Sequence, residues 1–411
     1  MTIDDIAREY VRLVLAMGLH DADYVDAYYG PPEWRTAVER ERPSLDQIRA
    51  GAVGLQARLG SLPAVASAGA RLEDLRRTYL TKQLAALITR ADMLLGREMT
   101  FDEQARALYD ADPPHDSEDH FRAILARLDA RVPGEGPLAE RVERFRAQFV
   151  IPPDRLDAVF RAAIDACRDR TVAHIDLPPG ENFRLEYVTD KSWSGYNWYQ
   201  GNYQSLIQVN TDFPIYIDRA IDLACHEGYP GHHVYNMLLE KNLVRDRGWP
   251  EFSVYALFSP QSLIAEGTAN YGIEVAFPAG ERVRFEEDVL FPLAGLDPSR
   301  AGDYYAVLAL IDELSYAGNE AARRYIDGEI SAEEAAAWLV EFALYSPERA
   351  KQRVRFMDQY GAYVINYNLG KDLVARHVEA LGGTEDDPAR RWEIFEDLLS
   401  SPRLPSTLAG S

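Results

Sequence analysis

The chain has 411 residues, room for one large domain or two or three smaller ones, and its 47% hydrophobic and 27% charged residues are the balance of a globular protein with ample core. Its net charge of −22 is spread along the sequence with no basic stripe, which argues against nucleic acid and against an anionic membrane as partners. Two cysteines rule out a disulfide framework, acids stand early where a secretory signal needs bases, and no run approaches about 20 apolar residues, so a reduced cytoplasm is the expected location.

The N-terminal third predicts helix after helix. Ile3, Ile6, Tyr10, Leu13, Val14 and Met17 recur at three and four, an amphipathic period. Gly30-Pro31-Pro32 breaks the chain and Glu33 restarts a helix. Ser44 to Gln47 and Thr100 to Glu103 are capping boxes, and a long helix is expected over 72–95. Pro113-Pro114 is expected to end the element that Thr100 starts. Helices then fit 118–130, 137–149 and the stretch from Pro152 to about Ala173.

The pattern changes at Leu177-Pro178-Pro179-Gly180. Phe183 to Val188 alternates apolar and polar residues and reads as a strand. A loop rich in Trp, Tyr, Gly and Asn is expected over 192–202, and Tyr203 to Asn210 alternates again as the second strand. Helices resume from Pro214, including Ile215 to Ala224 and Val234 to Leu239. Ser331 to Glu334 boxes one, and Ser346-Pro347 caps another. No internal repeat or low-complexity linker divides the chain. The expectation is one mainly α body with a small embedded sheet, comprising a helical part over about 1–175 and a part over about 176–411 that carries the chemistry.

Between the two aliphatic helices stand His226-Glu227-Gly228-Tyr229-Pro230-Gly231-His232-His233. In the short metalloprotease motif two histidines stand four apart, with Glu after the first, because four residues bring both imidazoles to one face of a helix. The Glu beside the first His can take a proton from a metal-activated water. Here position 230 is Pro, and the second His is six or seven residues on. His233 returns to the azimuth of His226 but lies roughly 10.5 Å along the axis at 1.5 Å per residue. His232 is off by roughly 120° on an ideal helix, unless Pro230 bulges or breaks it. Geometry alone leaves the pair open.

Glu266, in Ala265-Glu266-Gly267-Thr268-Ala269-Asn270-Tyr271, is the candidate third ligand, with a fourth position left for water. Asn270, one turn on, could orient a ligating His, and Glu274 another turn on could do the same. Cys225 could compete as a soft ligand but is expected to pack on the opposite face. His20, His115, His120, His174 and His377 have no ligand-like spacing. Phe356, Tyr360, Tyr363 and Tyr367 fall at i, i+4, i+7 and i+11, a helical stripe. Tyr367 is the candidate donor to the oxyanion of a tetrahedral intermediate. The segment from Trp193 to Asn210 could line a substrate cleft, with 203–210 as an edge strand that pairs with an extended substrate.

At 226–233 and 266–271 the sequence resembles a bacterial family of unknown function. Its signature is His-Glu-x-x-Pro-Gly-His-His, followed later by Glu-Gly-x-Ala-x-Tyr, and Tyr367-Asn368-Leu369-Gly370 also resembles it. Members are similar to gluzincin metallopeptidases. The resemblance implies a zincin-like helical body with a small sheet edging a deep cleft. It implies His226, His232 and Glu266 as ligands of one zinc ion, with Glu227 as general base. The expected function is a zinc-dependent hydrolase, a metallopeptidase acting on a peptide or small amide. The alternative is a non-catalytic metal-binding or peptide-binding protein on the same scaffold.

Overall fold

A computed structural model of the protein describes residues 2–63, 70–191, 193–278 and 280–408. Its helices begin where the sequence places caps. At the head of α1 (Ile3–Met17) the Thr2 hydroxyl accepts from the Asp5 N–H and Asp5 accepts from the Thr2 N–H, satisfying donors that a helix start leaves free. The boxes at Ser44, Thr100 and Ser331 form with both reciprocal bonds. Ser346 caps Pro347–Tyr360 with proline in the first turn. The long helix runs Ala70–Leu94. Phe101–Tyr109 stops short of the proline pair, because Asp110 turns left-handed (φ 54, ψ 38) and ends it.

Strand is confined, among the described residues, to two small sheets. The first pairs β1 (Val25–Tyr28) with a later strand. The second contains β2 (Asn182–Val188), β3 (Gly195–Gly201) and β4 (Gln204–Asn210), in the order β2-β4-β3. β5 (Val254–Ala256) is the antiparallel partner of β1. The strands expected from alternation are β2 and β4. The expected loop over 192–202 instead contains β3; its first residue, Ser192, lies outside the described residues. Asn202 and Tyr203 both take positive φ (55 and 61), which folds β3 back onto β4 as an antiparallel hairpin. β4 is therefore central, parallel to β2 on its other side, and the edge expected at 203–210 falls to β3 and β2.

One buried apolar cluster extends from Ile6 to Leu408, so the small sheets sit against a mainly helical core. Four helices frame the central motif: α2 (Asp218–Leu223), α3 (His232–Leu239), α4 (Pro260–Ala276) and α5 (Ile365–Ala380). α4 and α5 cross at Gly267 and Gly370. A Cβ on Gly267 would lie 2.5 Å from the Gly370 carbonyl carbon and oxygen, so the two backbones touch where a side chain would hold them apart. The aromatic stripe is not one helix. Pro347–Tyr360 ends at Gly361, a 3-10 turn covers Gly361–Val364, and α5 follows. Successive rings still pack, with Tyr360–Tyr363 and Tyr363–Tyr367 centroids 5.9 and 5.8 Å apart. No helix among the described residues is long and apolar enough to cross a membrane.

Candidate metal centre

α2 runs directly into a π-helical turn, Ala224–Gly228, which carries His226 and Glu227. Such widened turns cluster at functional sites because the extra residue re-aims side chains. Tyr229 is then extended, and the Tyr229–Pro230 bond is cis. Pro230 has no N–H to continue a helix, so the chain breaks rather than bulges. Gly231 turns it back, its N–H donating to the Cys225 carbonyl at 2.9 Å. A Cβ on Gly231 would meet the His226 carbonyl oxygen at 1.9 Å, so only glycine fits. α3 then starts at His232. The break brings the two imidazoles together at right angles, Nε2 to Nε2 at 3.1 Å.

Glu266 reaches the pair from α4. Its Oε2 lies 3.3 Å from His226 Nε2 and 3.7 Å from His232 Nε2. These residues form the one group of three His, Cys, Asp or Glu side chains, among the described residues, whose donor atoms converge within 4.8 Å. Ligands about 2.05 Å from a tetrahedral zinc stand about 3.3 Å apart, and the three observed separations bracket that value. Glu266 Oε2 is buried and has no well-formed hydrogen bond, while Oε1 accepts from the Tyr363 hydroxyl at 2.8 Å. Two nitrogens and one carboxylate oxygen, with a buried acceptor still unpaired, fit a zinc ion with one position open.

Asn270 fixes the tautomer of His226. Its Nδ2 donates to the Tyr367 carbonyl at 3.0 Å, so its Oδ1 faces His226 Nδ1, also at 3.0 Å. Nδ1 must then carry the proton, which leaves the Nε2 lone pair for a metal. The field of the site is strongly negative. Burial pulls His232 down, but Glu266, Glu227 and Asp26 push it up to about 9. Burial likewise opposes ionisation of Glu266, yet His226 and His232 hold its carboxyl far below the usual range.

Glu227 is buried beside the cluster. Its carbonyl accepts from Asn197 Nδ2 at 2.6 Å, and its carboxylate lies against Gly195 at the start of β3, where a Cβ would come within 3.0 Å of Oε1. Tyr367 is half-buried; its hydroxyl has no hydrogen-bond partner among the described residues, and it feels the charges of Glu266 and Glu227. His233 does not join the cluster. It is fully buried between Ser205 Oγ (2.8 Å from Nδ1) and Glu181 Oε2 (3.1 Å from Nε2). Glu274 pairs with Lys371 at 2.7 Å instead of orienting a histidine. Cys225 is buried on the far side, its Sγ 2.7 Å from the Sγ of Cys167, and both cysteines are free.

Three participants were not legible in the sequence. Tyr363, rather than its stripe neighbour Tyr367, holds Glu266. Glu181 anchors His233. Asp26 reaches the site from β1, more than 190 residues before the motif, its carboxylate accepting from the Tyr196 hydroxyl. β1 is four residues long, too short for an alternation to mark it.

No protein-family model matches the chain, and no curated protein matches it. Two solved structures, each described as a putative lipoprotein, match the chain. The one from Colwellia psychrerythraea is 15% identical, with a TM-score of 0.55; the match covers 89% of this chain and 66% of that one, so the chain spans just under two thirds of its neighbour's length. The one from Shewanella oneidensis, of unknown function, is 14% identical with a TM-score of 0.47, covering 91% of this chain and 74% of that one. At these identities the first likeness extends to the fold alone.

Proposed function

We propose that the protein is a zinc-dependent hydrolase, a metallopeptidase of the gluzincin kind acting on peptides or small amides in a cleft beside β3. The observation that carries this reading is the convergence of His226 Nε2, His232 Nε2 and Glu266 Oε2 within 4.8 Å, with the Glu227 carboxylate alongside. Zinc, when bound, supplies a Lewis acid that acidifies water and polarises a carbonyl. Glu227 takes the proton of the attacking water and delivers it to the leaving nitrogen. Tyr367 donates its free hydroxyl to the oxyanion. β3, an edge strand of its sheet that begins at the Glu227 contact at Gly195, offers backbone groups to an extended substrate. A cytoplasmic location belongs to the same reading, supported by a cysteine content of two, too few for a disulfide framework; cell fractionation tests it.

Elemental analysis is the first test. Wild type is expected to hold one zinc per chain, lost in His226→Ala, His232→Ala and Glu266→Ala. Glu227→Gln is expected to keep zinc and lose peptide hydrolysis. A wild type that takes up no zinc when it is added back refutes the reading. Zinc with no turnover on a peptide library leaves a non-catalytic metal-binding protein.

A further inference from the structure

We infer that Asp26 is a substrate-binding residue, and that it takes a cationic group of the substrate, an ammonium or guanidinium, beside the metal centre. The inference rests on the proposed hydrolase and narrows its substrate class.

The backbone aims Asp26 at the site. β1 and β5 pair Val25 with Ala256 and Ala27 with Tyr255, and the register shifts between Val25 and Ala27. Asp26 is thus the extra residue of a β-bulge, a device that redirects one side chain and is common beside active sites. Its carboxylate accepts from the hydroxyl of Tyr196, the residue after Gly195, whose backbone lies against the Glu227 carboxylate. Tyr196 thereby ties Asp26 to the strand that begins against the general base, and the charge of Asp26 reaches His232, Glu266 and Glu227.

The charges there do not balance without a guest. Glu227, Glu266 and Asp26 carry three negative charges, ligating imidazoles are neutral, and zinc brings two positive charges. No Lys or Arg ion-pairs with any of the three among the described residues. Arg353 comes near only by stacking on the Phe356 and Tyr367 rings. One uncompensated negative charge in a partly desolvated site favours a ligand that carries a positive one. Tyr196 occupies one oxygen of Asp26; the other has no hydrogen-bond partner among the described residues and is not fully buried. It is the atom available to a donor.

The test uses the zinc-loaded full chain and two matched peptide pairs. One pair differs only in a free or acetylated N-terminus, and the other, acetylated throughout, only in lysine or norleucine near the scissile bond. Wild type is expected to prefer the charged member of at least one pair by roughly 10- to 100-fold in KM, the range for a hydrogen bond to a charged group. The pair that responds identifies the source of the cation. Asp26→Asn is expected to erase that preference with a smaller effect on kcat, and Asp26→Glu to restore part of it. Tyr196→Phe, which keeps the charge, is expected to keep the preference and serves if Asp26→Asn fails to fold or to hold zinc. Equal use of both members by wild type, a preference that survives in Asp26→Asn, or its loss in Tyr196→Phe overturns the assignment. Should wild type turn over no peptide, the hydrolase reading falls by itself. Calorimetric binding of the same peptides to the same proteins then decides on Asp26 by the same criteria.

Discussion

Replacing Gly267 by alanine is expected to weaken zinc binding without touching a ligand. The new Cβ would lie 2.5 Å from the carbonyl carbon and oxygen of Gly370, where heavy atoms normally stand about 3.5 Å apart. Both are backbone atoms of α5, so no rotamer relieves the clash and the helices must part by roughly 1 Å. Two bonds span that crossing, Tyr363 to Glu266 at 2.8 Å and Asn270 to the Tyr367 carbonyl at 3.0 Å. Stretched by that amount, both leave hydrogen-bonding range. Overpacking costs about 1–3 kcal/mol, and alanine returns about 1 kcal/mol of helix propensity over glycine. The variant should therefore fold. Its zinc affinity should drop about 10- to 100-fold, the effect of losing partners that orient metal ligands. Competition against a chromophoric chelator measures the affinity, and thermal unfolding of the zinc-free protein controls for the fold. Wild-type affinity in a folded Gly267→Ala protein would refute the claim that the α4–α5 crossing holds Glu266 and His226 in place.

Further outcomes separate neighbouring residues. Tyr363→Phe is expected to lower zinc affinity, whereas Tyr367→Phe should leave zinc in place and lower kcat by about 10²- to 10³-fold; chelator competition and peptide hydrolysis on the same two variants distinguish them. Burial opposes ionisation of Glu181, but hydrogen bonds from His233, Tyr229 and Arg168 hold its carboxyl down at about 2. A depressed carboxyl stabilises the fold above its ordinary value of 4.5 and loses that contribution as pH falls through about 2. Urea unfolding should therefore show a steeper acid decline in wild type than in Glu181→Gln between those values, and parallel curves would contradict this. His233→Gln should weaken zinc by about tenfold, the lower range for a supporting partner, whereas His232→Ala should abolish stoichiometric binding.

Helices were legible because their signals are local. The Thr100 box needs only four residues to identify it, and it forms as read. β2 and β4 were legible because each alternates over most of its length. β1 and β5 are four and three residues long, too short for periodicity to register, and each exists only through the other. β3 was hidden by its composition, since Gly195, Asn197 and Gly201 suggest a loop. In the site, residue types at short spacing pointed to His226, Glu227 and one of His232 and His233, and a carboxylate on an apolar helix pointed to Glu266. The break at Pro230 decides between His232 and His233, and it depends on a turn whose conformation Gly231 makes possible. Asp26, Glu181 and Tyr363 join through contacts 48 to 170 residues away in sequence, which no local pattern carries.

The broken motif also explains why a sheet lies beside a helical metal centre. In an unbroken helix, two ligands four residues apart are aligned by helix pitch alone. Here His226 closes one helical segment and His232 opens the next, so pitch relates neither to the other. Their separation of 3.1 Å depends on whatever anchors each segment. The first is pinned by Asn197 on β3, which donates to the Glu227 carbonyl, and by Asn270 on α4. The head of α3 is pinned one residue after His232, where His233 bridges Ser205 on β4 and Glu181 just before β2. The sheet thus holds both sides of one gap, with α4 joining it on the first. His233, the third histidine of the motif, is buried structure, and its work is to place His232.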